Sequence, residues 1–252
     1  MSPAIRLIIA AAAALVLLPA IVLVLWHMPG FGDHSLPYGD EINHAAAAER
    51  HVTNMVTAVN FDYRGLDTIG EEYMLLAAVT GTVVLLRGRR GENVTDAPAT
   101  VQGRSIRSPS EGVVLICRLF APILLLFGIY MAAHAQLTPG GGFQGGAMIG
   151  SGMALLYLGE GYATWGRVML SHVFDPIEAV GALIFILAGF GPMVVGAHFL
   201  ENILPLGQTR ALLSGGLILI ENFGVALAVT AGFVLLLVEF LEETRVSQGE
   251  DS

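Results

Sequence analysis

Lysine is absent from this 252-residue sequence: all 12 basic residues are arginine, they face 21 acidic ones, and the formal net charge is −9. A chain so poor in positive charge offers no basic stripe to phosphates, which argues against nucleic-acid binding. Cysteine is nearly absent too. Cys117 stands alone, so neither an internal disulfide framework nor a cysteine-built metal site is available. Charge of either sign is scarce, at 13% of residues against about 25% in soluble globular domains, while apolar residues reach 54%. These proportions do not clothe a water-facing surface; they suit a chain embedded in lipid.

What is present is a series of apolar runs. Leu7 to Trp26 carries no charge over 20 residues, which as a helix reaches ~30 Å, the thickness of a bilayer core. It exceeds a usual signal-peptide core, and no A-x-A site follows the run before His27-Met28-Pro29, so it reads as a retained span. Further runs cover Tyr73–Leu86, Val113–Ala133, Phe143–Leu158, Ile177–Ala197 and Leu212–Val238. The expectation is an all-α polytopic membrane protein with about six transmembrane helices. Threading six spans from an inside amino terminus leaves nine arginines on the cytoplasmic side. Only Arg50, Arg64 and Arg210 lie outside, a positive-inside bias that predicts both termini in the cytoplasm. Arg118 falls inside the third span, where its stem is expected to snorkel to the interface.

Three span starts carry a capping residue followed three positions later by glutamate: Thr68 with Glu71, Ser108 with Glu111, and Asp175 with Glu178. Thr68, Asp175 and Glu178 are therefore expected to serve as helix caps. The polar, arginine-rich stretch after the second run reads as a linker. It divides the chain into a two-span unit (1–90), a cytoplasmic linker (91–111), a four-span domain (112–240) and a tail (241–252).

Thr138 to Gly146 reads T-P-G-G-G-F-Q-G-G. Its G-x-G-x-x-G pattern lacks the preceding strand of a dinucleotide fold, and no Gly-Lys-Ser/Thr follows to make a P-loop. A tight turn followed by a helix fits better, with Gly142, Gly146 and Gly150 forming a small-residue stripe at four-residue spacing that lets a second helix approach. His27, His34, His44 and His51 share one segment with several acids. Their spacings of seven, ten and seven match neither a helical pair nor a zinc knuckle, so no metal site is expected. His134 and His198 close two spans and read as interfacial side chains.

Acids near or within the membrane carry the functional expectation. The run from Tyr73 is too short to span unaided, so its helix must begin around Asp67 to Glu72. That places Asp67, Glu71 and Glu72 at the outer interface. Asp67 and Glu71 are like charges four apart, which raises the pKa of one of them; the alternative for Glu71 is a cap, with Arg64 as a salt-bridge partner. Glu221, beside Asn222, lies about ten residues into the last run, where an ionised acid costs ~2.5–3.5 kcal/mol and needs a proton, a partner or water. Conduction and interhelical bonding are both open for that pair.

Two stretches resemble a known family. L-T-P-G-G-G-F-Q-G-G at 137–146, Asp175-Pro176-x-Glu178 and Asn222 resemble the B subunit of Mrp-type (Mnh or Sha) multisubunit cation/proton antiporters. Asn54 to Glu71, preceded by Tyr38-Gly39-Asp40, is similar to the carboxyl-terminal region of the large A subunit of those antiporters and to the small E subunit of membrane-bound hydrogenases. The two stretches cover roughly 31–86 and 115–238, so the linker falls where two family subunits would be fused. The resemblance implies a complex related to the membrane arm of respiratory complex I that exchanges Na+ or another monovalent cation for protons. The principal proton channels of the family lie in A and D, and B contributes to assembly and to the cation path. The last span of B carries a lysine a few residues after the asparagine; Ala228 stands here instead.

The expected protein is a bacterial inner-membrane antiporter component, driven by the proton-motive force. Its partners are subunits of the A, C, D, E, F and G types, the lipid bilayer, Na+ and H+. Asp67, Glu71, Glu72, Glu221 and Asn222 are the candidate ion- or proton-handling residues. No cofactor is expected, and no enzymatic activity, since no nucleophile–base pair or nucleotide motif is found. The competing readings are a membrane-arm subunit of an energy-converting hydrogenase or complex I-like enzyme, and a scaffold that conducts nothing.

Overall fold

The computed structural model describes residues 3–28, 37–91, 110–168 and 171–243. It falls into two compact units, 1–41 and 42–252. The first contains α1 (Pro3–Trp26), 24 residues, apolar from Leu7 to Trp26 with Pro19 inside, its large side chains from Leu15 to Trp26 exposed. α2 (Pro37–Glu49) crosses into the second unit, where Ile42 and Ala46 enter a core.

The second unit is a helical bundle. It contains α3 (Met55–Ala58), a π turn (Val59–Tyr63), α4 (Gly65–Gly91), α5 (Glu111–Ala133), α6 (Gly142–Val168), α7 (Ser171–Val194) and α8 (Leu217–Glu243). Segments 65–86, 111–133, 173–194 and 217–240 are each long and apolar enough to cross a membrane. The protein is thus all-helical and multi-pass. Most of the linker proposed at 91–111, including Ser108, and most of the tail proposed at 241–252 lie outside the described residues.

α8 organises the bundle by packing against α4, α6 and α7, while α5 and α6 form a close antiparallel pair. Glycine makes these approaches possible. A Cβ on Gly142, Gly146 or Gly150 would stand 2.5–2.8 Å from Asn222 O, Val229 Cβ and Phe233 Cβ of α8. A second stripe on α6, unseen in the sequence, faces α5: Gly145 meets the Gly128 carbonyl, Gly152 meets Leu125, and Gly159 meets Cys117. At the α7–α8 crossing, a Cβ on Gly181 would lie 2.5 Å from Ala228 N. A lysine at 228 has no space there, which gives a packing reason for the alanine.

Helix boundaries correct three expectations. α4 starts at Gly65, ahead of the expected Thr68, because the π turn runs directly into it. Thr68 is not a cap, and its buried hydroxyl donates to the Asn60 carbonyl at 2.6 Å. α7 starts at Ser171, so Asp175 and Glu178 lie inside the helix and do not form a capping box, and Pro176 lies past the first four free N–H groups, where its ring removes one intrahelical bond. α5 is capped by Ser110, whose Oγ accepts from Val113 N at 3.4 Å. α8 starts at Leu217, after Gly215 and Gly216, whose φ values of 94° and 59° stop the helix from beginning earlier.

At one end of the bundle three loops interlock. Asn54 Nδ2 donates to the carbonyls of Ala135 and Thr138 at 2.8 and 2.9 Å, and Thr53 Oγ1 donates to Leu137 O at 2.6 Å. The buried Gln136 amide reaches the Leu212 carbonyl. The segment before α4 is thereby fastened to the glycine-rich turn before α6, joining the two stretches that carried separate resemblances.

Candidate functional site: buried carboxylates along one helix

Among the described residues, four glutamates are almost wholly withdrawn from the surface: Glu72 on α4 (1% exposed), Glu178 on α7 (6%), and Glu221 (0%) and Glu239 (1%) on α8. Glu221 and Glu239 are 18 residues apart, five full turns, so they share one face of α8 at ~27 Å separation. Between them the carboxyl of Glu178 rests on Gly232 of α8, beside Val79 and Leu75 of α4. Glu72 is within electrostatic reach of Glu178. Acids therefore occur at successive levels over most of the ~30 Å of a bilayer core.

Several of their oxygens have no donor. Both carboxylate oxygens of Glu221, Oε2 of Glu72 and Oε1 of Glu178 are buried without a hydrogen-bond partner among the described residues. An ionised carboxylate held this way costs several kcal/mol. Packing fixes them in place: Thr68, Glu72 and Val79 lie on the buried face of α4, and the Phe61 and Phe185 rings meet tilted by 45° at 6.1 Å between centroids.

Beside the Arg50–Asp62 pair lies a cavity of about 440 Å3 lined by Arg50, Asp62, Tyr63, Arg64, Leu66 and residues 198–202; Glu221 is not among its lining residues. Asp62, in the π turn, lies within electrostatic reach of Glu221. π turns are rare and recur at functional sites. Arg50 Nε donates to Asp62 Oδ1 at 2.7 Å, and Asn202 Nδ2 donates to Asp62 Oδ2 at 3.4 Å. Asn202 also accepts from Leu217 N at 2.9 Å, tying Asp62 to the first turn of α8. Burial pulls the Arg50 pKa down, but the hydrogen bond and charge of Asp62 together outweigh it and hold it above its ordinary value. Burial, with a hydrogen bond to Glu49, pushes Tyr63 up to about 12. Glu201 is held below the usual carboxylate range by the backbone N–H and the ring of His198.

The sequence candidates separate cleanly. Glu72 and Glu221 are in the buried line. Asp67 is half exposed and paired with Arg64, and Glu71 points away from the bundle. Asn222 does not join the line of acids: its Oδ1 accepts from Gly142 N at 2.6 Å and its Nδ2 donates to Ala132 O at 2.7 Å, so both ends of the amide clamp α5 and α6 to α8. Arg118, largely exposed on α5, pairs with Glu160 of α6. His51 Nδ1 lies 2.6 Å from the Gly207 carbonyl, and His134 Nδ1 lies 3.0 Å from Tyr130 O. His34 falls outside the described residues.

Sequence reasoning missed Glu239, Asp62 and the placement of Glu178. For Glu239 a signal existed: an acid five whole turns from Glu221 in an otherwise apolar run. For Glu178 there was none, because its environment is contributed by α4 and α8.

Residues 113–235 match a family model described as a domain related to the MnhB subunit of Na+/H+ antiporter. The chain is 35% identical over 99 residues to the B subunit of the Na+/H+ antiporter of Alkalihalophilus pseudofirmus, covering 39% of this chain and 68% of that one. Its fold is similar to a chain in the Mrp complex from Dietzia sp. DQ12-45-1b, with a TM-score of 0.73 and 24% identity. That match takes in 100% of this chain and only 27% of the other. A chain of the membrane-bound sulfane sulfur reductase, an archaeal respiratory membrane complex, is also similar, with a TM-score of 0.71 and 27% identity over 94% of this chain and 98% of that one.

Proposed function

The chain belongs to the family of MnhB-related Na+/H+ antiporter subunits, and from that footing we propose that it is one membrane component of a multisubunit antiporter exchanging Na+ or another monovalent cation for protons under the proton-motive force. Its part is to carry ions past the centre of the bilayer along α8. The observation that carries this reading is the set of buried acids Glu72, Glu178 and Glu221, whose oxygens include ones with no hydrogen-bond donor among the described residues. Each group binds a proton or a cation in turn, and repulsion between neighbouring carboxylates favours release to the next. The complex sits in a bacterial cell membrane with both termini of this chain in the cytoplasm, as the arginine distribution predicts. An A-like segment joined to a B-like domain at 91–111 supports a position where those two subunits would meet. The chain acts as a transporter component with no reaction of its own.

The test is cation-dependent proton exchange in everted vesicles containing the whole complex, comparing Glu72→Gln, Glu178→Gln and Glu221→Gln with wild type. Loss of exchange with normal assembly is expected for all three, and full exchange in all three would leave a scaffold.

A second reading rests on the near-complete match to a chain of an archaeal respiratory membrane complex: the same line of acids would then serve a membrane arm coupled to electron transfer. Identifying the chains that co-purify in mild detergent decides between them. Redox subunits would favour the second reading, and a full set of antiporter subunits the first.

A further inference from the structure

The back of α8 carries a groove that the line of acids does not use. Leu219, Asn222, Phe223, Ala226, Leu227 and Thr230 line it, and their spacing of three, one, three, one and three marks one face of a helix. At 3.6 residues per turn that face is centred roughly 170° around the axis from Glu221 and Glu239, so the groove and the acids occupy opposite sides of the same helix. α5 packs on α6 and α7 packs on α8, and the groove is the space left between these two pairs. Ala132 and Ala133 of α5 wall it toward the amino-terminal end of α8, where Asn222 reaches the Ala132 carbonyl. Phe174 of α7 stands at the other end, packed against the cluster of Val234 and Val238.

The dimensions of the groove select its occupant. From Leu219 to Thr230 α8 rises ~16 Å, close to half of the ~30 Å hydrocarbon thickness and therefore to the depth of one leaflet. The volume is about 420 Å3, so over that length the mean cross-section is about 25 Å2, or ~5 Å across. A transmembrane helix, about 10–12 Å in diameter, does not enter. An extended chain of methylenes, whose carbons approach their neighbours to about 4 Å, does. The lining is hydrocarbon apart from Asn222 and Thr230, and the Asn222 amide is engaged through both its oxygen and its nitrogen, so nothing charged faces the occupant.

We propose that this groove binds one acyl chain of a membrane phospholipid, drawn from the leaflet at the amino-terminal end of α8, as a resident structural ligand. The chain supplies the dispersion contacts that the gap between the helix pairs lacks. It also covers the hydrogen bonds of Asn222 to Gly142 and Ala132. The opposite face of α8 is left to the acids, so the inference stands whichever ions the protein handles.

The test uses phosphatidylglycerol with a photoreactive diazirine at the middle of one acyl chain, added to the complex purified with its partner chains and followed by extensive detergent washing. Irradiation should leave adducts that map to 219–230 of α8 and 174–177 of α7, while the exposed surface of α5 around Phe120 and Leu126 loses its label in the wash. Ala133→Trp, at an exposed position on the groove wall, and Thr230→Phe, inside it, should each lower the groove adducts at least about fivefold, because an overfilled space is strained. Leu187→Trp, exposed on α7 outside the groove, should leave them unchanged. Adducts in the groove that wash out as readily as those on α5, or that survive both substitutions, overturn the proposal. So does a photoreactive amino acid placed at Leu227 that cross-links to a partner polypeptide, since a protein side chain then holds the space. A native gel of each sample reports assembly, and should Thr230→Phe fail to assemble, Ala133→Trp decides the comparison alone.

Discussion

Gly232 of α8 lies under the carboxyl group of Glu178 of α7: a Cβ added to Gly232 would stand 3.2 Å from Glu178 Oε1 and 3.2 Å from Val79 Cγ2 of α4. Three helices meet at that point, and the missing side chain is what leaves room for an acid. Gly232→Ala should be tolerated with a small loss, since a few tenths of an ångström of give suffices. Gly232→Val should displace the carboxyl and cut ion exchange on the order of tenfold or more, with the complex still assembled. Vesicle exchange assays beside a native gel of the complex check both.

Neighbouring glutamates of α4 should behave oppositely. Glu72 is buried and Glu71 is exposed, so Glu72→Gln should reduce exchange at least about tenfold, while Glu71→Gln should retain most of it. Equal losses in the two variants would mean that a partner subunit covers Glu71 and draws it into the route.

Asn222 should matter for stability above all. Asn222→Leu strands the Gly142 N–H and the Ala132 carbonyl, at about 1–3 kcal/mol for each buried group left unsatisfied. Asn222→Asp keeps the acceptor for Gly142 and loses only the donor to Ala132, so it should fall between. Thermal unfolding of the purified complex in detergent orders the three proteins.

Tyr63 gives a pH dependence with a definite sign. Its phenol is raised from about 10 in an unfolded chain to about 12 here, by burial and by the Glu49 hydrogen bond. The stabilisation is therefore complete below pH ~10 and is lost as pH rises toward 12, where the folded phenol also ionises. Tyr63→Phe should flatten that part of the stability profile. Ultraviolet absorbance of tyrosinate, followed during alkaline titration, reads the shifted group directly.

Hydrocarbon-length runs, scarce charge and glycine spacing were enough to define an all-helical membrane chain, because a bilayer imposes length and backbone satisfaction on each span separately. The Gly142–Gly146–Gly150 stripe was legible for the same reason: four-residue spacing defines a helix face whatever lies opposite. Glu72 and Glu221 stood out as acids next to apolar runs. Which acid of the pair Glu71 and Glu72 turns inward, where Thr68 and Asp175 fall relative to the helix starts, and what Glu178 touches depended on the rotation of each helix against its neighbours. So did the roles of Asp62 and Asn222, whose partners are 12 and 80 to 90 residues away in the chain. Periodicity fixes which residues share a face; only packing decides which face looks at another carboxylate and which at lipid. A buried acid is defined by the groups that surround it, and here those groups come from helices distant in sequence.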